Sequence, residues 1–261
     1  MTPQIPIPES FPAPGDVRGK RVVVTGAGRG LGTLVAHAFS QAGASVALVA
    51  RTEKDLKAVA EELPLQAPVL VLSGDVTDED FNEAVADTVV AKWGGLDVWI
   101  CNAGISPVVA GPRETAAAVW RRILEVNLTG AFLGARAAAR VMGTGGRLIF
   151  TGSVLGERPR QGLTAYSASK AGLVGLAKGL ALDLAPAGIT VNVVAPGWFD
   201  SPLVEGFKRS PQLAASITDH TVQGRWGAPT DLTGAYQFLA SDAAAFVTGA
   251  VVTVDGGYLL V

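Results

Sequence analysis

The stretch from Arg21 to Gln41 constrains this chain most. Arg21-Val22-Val23-Val24-Thr25 is a short β-branched run of the kind buried on both faces of a parallel sheet. It passes into Gly26-Ala27-Gly28-Arg29-Gly30-Leu31-Gly32, and a helical pattern follows from Thr33 to Gln41. Glycines in such a turn let the backbone come close to a pyrophosphate. The amide groups and dipole of the following helix then stabilise its charge. Strand, glycine loop and helix in that order predict a dinucleotide cradle, with Gly26, Gly28, Arg29, Gly30 and Leu31 at its wall.

The same alternation continues. Strands are predicted at Ser45 to Ala50, Val69 to Ser73, Leu96 to Cys101, Gly146 to Thr151 and Thr190 to Val194. Helices are predicted at Glu53 to Leu63, Asp78 to Trp93 and, as one long element, Arg113 to about Met142. That rhythm demands a parallel sheet with helices on both faces. No linker-like stretch interrupts it after residue 17, so residues 18–261 read as one catalytic domain. Residues 1–17 hold Pro3, Pro6, Pro8, Pro12 and Pro14 and read as an extended N-terminal arm.

Composition removes several classes of function. Charged residues are 17% of the chain against 49% hydrophobic, and the formal net charge is −2 with no Lys/Arg block, so a nucleic-acid partner is not expected. Cys101 is the one cysteine and His37 and His220 are the two histidines, which leaves no disulfide and no metal cluster to expect. No apolar run is long enough to span a bilayer, and the N-terminus lacks a signal-peptide pattern. A cytoplasmic protein with a small-molecule substrate fits.

Individual residues sharpen the cofactor reading. In a dinucleotide site the end of the second strand meets the adenosine ribose, where a carboxylate binds a 2′-hydroxyl and an arginine accepts a 2′-phosphate. Here that end reads Ala50-Arg51 with no acid before Glu53. This favours NADP(H) over NAD(H), with Arg29 as a second cation. Asp75-Val76 follows the third strand, where the carboxylate either meets the adenine amine or caps the next helix. Asn102-Ala103-Gly104 ends the fourth strand, and small residues there let the chain pass close to a ribose.

The chemistry centres on Tyr166-Ser167-Ala168-Ser169-Lys170. Residues four apart share one face of a helix, which puts the phenol of Tyr166 beside the ammonium of Lys170. A nearby cation favours the phenolate and lowers the tyrosine pKa, suiting it to proton transfer at an oxygen. Ser153 stands at the C-terminal end of a strand, where ligands bind in open parallel sheets. Asn127, an amide inside an apolar helix, is expected to satisfy itself locally.

Taken together these motifs resemble the short-chain dehydrogenase/reductase family from about Lys20 to the C-terminus. The likeness extends to Pro196-Gly197, Phe246-Val247-Thr248-Gly249 and Val254-Asp255-Gly256-Gly257. The resemblance implies a single Rossmann-type, doubly wound, seven-stranded parallel sheet. It implies hydride transfer between a nicotinamide cofactor and a secondary alcohol/ketone. Asn127, Ser153, Tyr166 and Lys170 would be the catalytic tetrad, with Tyr166 as general acid/base and Lys170 also on the nicotinamide ribose. Pro196, Gly197 and Ser201 would touch the nicotinamide, Ser201 standing where the family usually has threonine. A mobile flap would cover the substrate at about 197–226, with Trp198, Phe199 and His220 lining a pocket alongside Val154, Leu155 and Ser106. The substrate class stays open between a sugar acid or polyol and a steroid, quinone-like or other cyclic ketone. A homotetramer or homodimer is implied, with Gly172, Gly175 and Gly179 on one interface and Tyr258-Leu259-Leu260-Val261 on the other. A catalytically silent NADP(H) sensor and a redox-neutral enzyme on the same fold are the alternatives.

Overall fold

Seven parallel strands run in the order β3-β2-β1-β4-β5-β6-β7 in the computed structural model, which describes residues 12–64, 67–106, 108–200 and 204–261. They are β1 Arg21–Thr25, β2 Ser45–Ala50, β3 Val69–Ser73, β4 Val98–Cys101, β5 Arg147–Thr151, β6 Thr190–Pro196 and β7 Val251–Val254. The order reverses between β1 and β4, which opens a crevice at the C-terminal ends of those strands.

Strand alternation sorts the side chains into two cores. Val22, Val24, Val46, Leu48, Val98 and Ile100 face α1 (Leu31–Gln41), α2 (Glu53–Glu62) and α9 (Pro229–Ala240). Val23, Ala47, Val49, Trp99, Leu148 and Phe150 face α3 (Glu79–Trp93), α5 (Gly130–Val141) and α6 (Thr164–Leu184). The middle positions of β1, β2, β4 and β5 are therefore apolar on both faces, because each face has its own helical layer. The two edge strands are only partly covered.

Several boundaries have local causes. Asp78 caps α3 by accepting from the Phe81 amide at 3.1 Å, and Gly94 ends it in the left-handed region. The helix predicted over Arg113 to Met142 is broken. It begins only with α4 (Ala117–Leu124), passes through a π-helical turn at Glu125–Thr129, and resumes as α5. A π turn inserts an extra residue, so side chains on it leave the ordinary helical register.

The region predicted as a flap contains α7 (Glu205–Lys208) and α8 (Pro211–Asp219). Its two ends are tied by a parallel bridge between Phe199 and Gly227, where the Gly227 amide donates to the Trp198 carbonyl at 2.9 Å. Ser201 and most of the Pro-rich arm lie outside the described residues. Among the described residues, no helix is long and apolar enough to cross a membrane.

Candidate active site

A cleft of about 610 Å³ runs along the C-terminal ends of the strands. Its glycine-loop end is walled by backbone. Gly26 has φ +69 and a Cβ there would stand 2.8 Å from the Ala103 Cα. At Gly32 a Cβ would stand 2.2 Å from the Gly26 carbonyl oxygen. These positions admit only glycine, because backbone atoms cannot move aside as side chains do. The loop is tied to the next motif through Thr25, whose Oγ1 accepts from the amides of Asn102 at 2.9 Å and Ala103 at 3.1 Å. The Asn102 side chain donates in return to the Thr25 carbonyl at 2.9 Å.

No side chain caps the N-terminus of α1, so its first amides face the cleft without an internal partner. Arg29 and Arg51 line this end, exposed and without an ion pair among the described residues. Bare amides and two free cations suit a phosphorylated dinucleotide. Gly28, Gly30, Leu31, Val76 and Gly104 line the cleft as well. So do Thr52 and Asp55, which nothing local in the sequence distinguishes from ordinary helix-start residues.

Asp75 lines the cleft but neither caps α3 nor points a free carboxylate into the site. One oxygen accepts from the Thr77 amide at 3.0 Å and hydroxyl at 2.9 Å, and the other pairs with Arg122 of α4 at 2.9 Å. These partners hold its carboxyl below the usual range against the opposing effect of burial. Asp78, three residues on, is the cap.

Tyr166 and Lys170 lie on one face of α6, both buried in the cleft wall. Burial pushes the phenol up to about 12, and a hydrogen bond with Ser153 offsets only part of that. Lysine is not what sets this titration, contrary to the simple helix-face expectation. Its ammonium sits 5.7 Å from the Tyr166 ring centroid and donates to the Thr151 carbonyl at 2.6 Å. Burial brings Lys170 down to about 8.

Asn127 departs from its expectation of local self-satisfaction. The π turn swings its amide out of the helix, where it accepts from the Ile105 amide at 2.8 Å and donates to the Ile105 carbonyl at 3.0 Å. It also donates to Ser169 Oγ at 3.0 Å, and Ser169 donates to the Tyr166 carbonyl at 2.6 Å. Asn127 thus joins the loop after β4 to the turn of α6 that carries Tyr166, from just behind the cleft wall.

A second support was not legible in the sequence. Thr151 ends β5, and its hydroxyl meets Tyr236 of α9 at 2.8 Å and Asn102 Oδ1 at 3.2 Å. The same residue's carbonyl anchors Lys170, so β4, β5, α6 and α9 converge on it. Tyr236 is fully buried and its phenol is held well above its ordinary pKa by desolvation.

The lid end is lined by side chains. Ser106, Val154, Leu155, Trp198 and Phe199 line the cleft, joined by Leu163, Val204 and Phe207, and Pro196 and Gly197 line it as well. His220 does not line the cleft. It ends α8, exposed, with Nδ1 2.7 Å from the Ser216 carbonyl. A carbonyl at the end of its own helix is a nearer partner than anything across the lid.

A family profile described as enoyl-(acyl-carrier-protein) reductase matches residues 26–259. A curated relative, cis-4-hydroxycyclohexanecarboxylate dehydrogenase of Sinomonas cyclohexanicum, is 39% identical over 252 residues, covering 95% of this chain and 100% of that protein. Another, 3β-hydroxysteroid dehydrogenase 1 of Eggerthella lenta, is 37% identical over 256 residues, covering 94% and 95%. The solved structure of a short-chain type dehydrogenase/reductase from Mycobacterium marinum superposes with a TM-score of 0.87 at 38% identity, covering 94% of this chain and 97% of that one. With its ordered motifs gathered along one cleft of a seven-stranded parallel sheet, the chain belongs to the short-chain dehydrogenase/reductase family.

Proposed function

We propose that this protein is an NADP(H)-dependent oxidoreductase that interconverts a secondary alcohol and a ketone on an apolar ring. The observation that carries the reading is Tyr166 beside Ser153 in the wall of a cleft, with a dinucleotide cradle at one end and an apolar pocket at the other. A nicotinamide nucleotide supplies the hydride chemistry when bound. The α1 amides and glycine loop hold its diphosphate, Arg29 and Arg51 receive the 2′-phosphate, and Asn102 to Gly104 pass beside a ribose. Pro196 and Gly197 border the nicotinamide, and Val76 borders the adenine, while the engaged carboxylate of Asp75 shapes that wall.

The phenol of Tyr166 gives its proton to the substrate oxygen during reduction and takes it back during oxidation. Ser153 hydrogen-bonds the same oxygen and fixes the carbonyl. Lys170, held by the Thr151 carbonyl, places a cation at the ribose and near the phenolate as that charge develops. Asn127 holds the loop after β4 and α6 in register, so that proton movement through Lys170 has a fixed frame. The aromatic lid favours a cyclic apolar substrate over a polyol, and relatives named for a cyclohexane acid and a steroid agree with that choice.

The exposed face of α6 at Gly175, Gly179 and Leu182, and the open edge at β7 with Phe246 and Leu260, suit a cytoplasmic homotetramer built on two interfaces. One experiment tests the catalytic reading. NADPH should bind at least about tenfold more tightly than NADH by tryptophan-fluorescence quenching. Tyr166→Phe should keep that preference while ketone reduction falls by about 10³ or more. Turnover that survives the substitution, or tighter NADH binding, would overturn the corresponding assignment.

A further inference from the structure

Tyr236 is the one polar side chain among the residues that α9 buries; the others are Leu232, Leu239 and Ala240. Its ring packs in the core shared by α1 and α9, a task that phenylalanine would perform equally well. The hydroxyl needs a separate reason, because a polar group carried into an apolar core must recover there the hydrogen bonds it leaves in water. Tyr236 is fully buried and does not line the cleft. Its hydroxyl lies 2.8 Å from Thr151 Oγ1, at the end of β5.

Donor and acceptor counts fix the direction of that bond. The Asn102 side-chain amide gives its N–H to the Thr25 carbonyl at 2.9 Å, and a carbonyl can only accept, so Oδ1 is the atom turned toward Thr151. The Thr151 hydroxyl must then give its single proton to Oδ1, at 3.2 Å, and Tyr236 must donate to Thr151. The donors run one way, from Tyr236 through Thr151 and Asn102 to Thr25. Burial holds the Tyr236 phenol well above its ordinary pKa, so the first donor keeps its proton.

Both polar ends of Thr151 are in use. Its hydroxyl is held between Tyr236 and Asn102, and its carbonyl accepts from Lys170 Nζ at 2.6 Å. The β4 register ends with Cys101 opposite Phe150, so Thr151 stands one residue beyond the β4 ladder and is steadied on that side by its hydroxyl. A β-branched side chain held from two sides is left one rotamer, and the carbonyl on the same residue keeps its aim. We infer that Tyr236 is a positioning residue of the reaction: its hydroxyl, acting through Thr151, aims the carbonyl that holds Lys170 at the ribose and beside Tyr166. The same bond steadies Asn102, so one buried hydroxyl on the helix that follows the lid sets the register between the lysine and the loop after β4. The inference rests on the oxidoreductase reading for its effect on rate, but the placement of Lys170 is testable without turnover.

The test compares the full chain with Tyr236→Phe, which keeps the ring and removes the hydroxyl, using protein labelled with carbon-13 at the lysine Cε and saturated with NADP⁺. Lys170→Met identifies the Lys170 resonance by its loss. Tyr236→Phe should displace that resonance, Thr151→Val should displace it too, and the double variant should move it no further than Thr151→Val alone. Thr151→Ser, which restores a hydroxyl, should return it most of the way. In reduction of cyclohexanone by NADPH, Tyr236→Phe should lower kcat by about tenfold with KM and NADPH affinity held within about twofold, the split expected when a hydrogen bond is lost behind the site. Phe39→Leu, a substitution in the same core with no part in these hydrogen bonds, controls for lost stability. An unmoved Lys170 resonance, or a displacement and kcat loss reproduced by Phe39→Leu, would overturn the inference. Absent turnover of cyclohexanone by the wild type, with the resonance still displaced by Tyr236→Phe, would count against the oxidoreductase reading and leave the placement of the lysine standing.

Discussion

At the glycine-loop end of the cleft, a methyl added at Gly32 would stand 2.2 Å from the Gly26 carbonyl oxygen, whereas at the lid end one added at Gly227 would stand 2.4 Å from a Phe199 ring carbon. The distances are nearly equal but the obstacles are not. The first is main chain locked between β1, α1 and the Asn102 loop, and the second is a ring that can rotate. One end of the cleft is therefore defined by backbone shape and the other by replaceable side chains. The backbone end suits a ligand held by its diphosphate, and the side-chain end is where substrate choice can vary without disturbing the sheet.

Gly32→Ala should give the largest effect. With no room for the methyl, nucleotide affinity should fall by at least about 100-fold, and stability by about 1–3 kcal/mol from overpacking. Fluorescence titration and urea unfolding check both, and retained binding would break the contrast at its stronger end. Lys170 tests the seam between the two ends. Burial holds it at about 8 in the folded protein against the ordinary lysine value of 10.5, a difference of about 3 kcal/mol. Between those values the unfolded chain keeps a proton that the native one has lost, so the stability of the native protein rises with pH through that window. Lys170→Met lacks the group, and wild-type stability relative to this variant should therefore climb by up to about 3 kcal/mol from pH 7.5 to 10.5. A flat difference would mean that the Thr151 carbonyl keeps the ammonium charged. Gly227→Ala should be mildest, costing about 1 kcal/mol as the Phe199 ring turns aside, raising the substrate KM several-fold and leaving nucleotide affinity unchanged. A loss of nucleotide binding there would erase the distinction between the two ends.

Local chemistry makes some of this legible in the sequence. The β-branched runs, the glycine loop and the Tyr166/Lys170 spacing each act over a few residues, and strands β1, β2 and β3 fall on their predicted limits. The long helix around Asn127 was misread because a π turn leaves no mark in an Ala-rich pattern; only the pull of Ile105 and Ser169 from two other segments reveals it. His220 looked like a pocket residue by its place in an irregular stretch, yet the short helix before it supplies its partner. Asp75 lines the cleft, but the helix cap is Asp78, and the Asp75 carboxylate is engaged by Thr77 and by an arginine 47 positions away.

The sequence by itself determined the alternation of strands and helices, the phosphate-cradling loop and the pairing of a phenol with an ammonium on one helical face. Those follow from backbone preference and side-chain period, which are short-range. Only the tertiary structure decided what each ionisable group feels. Lys170 is anchored by the Thr151 carbonyl, Tyr166 is governed by burial and Ser153, and Arg160 lies over the Trp198 ring. Desolvation and partner choice depend on which distant segments pack together, and no local pattern encodes that.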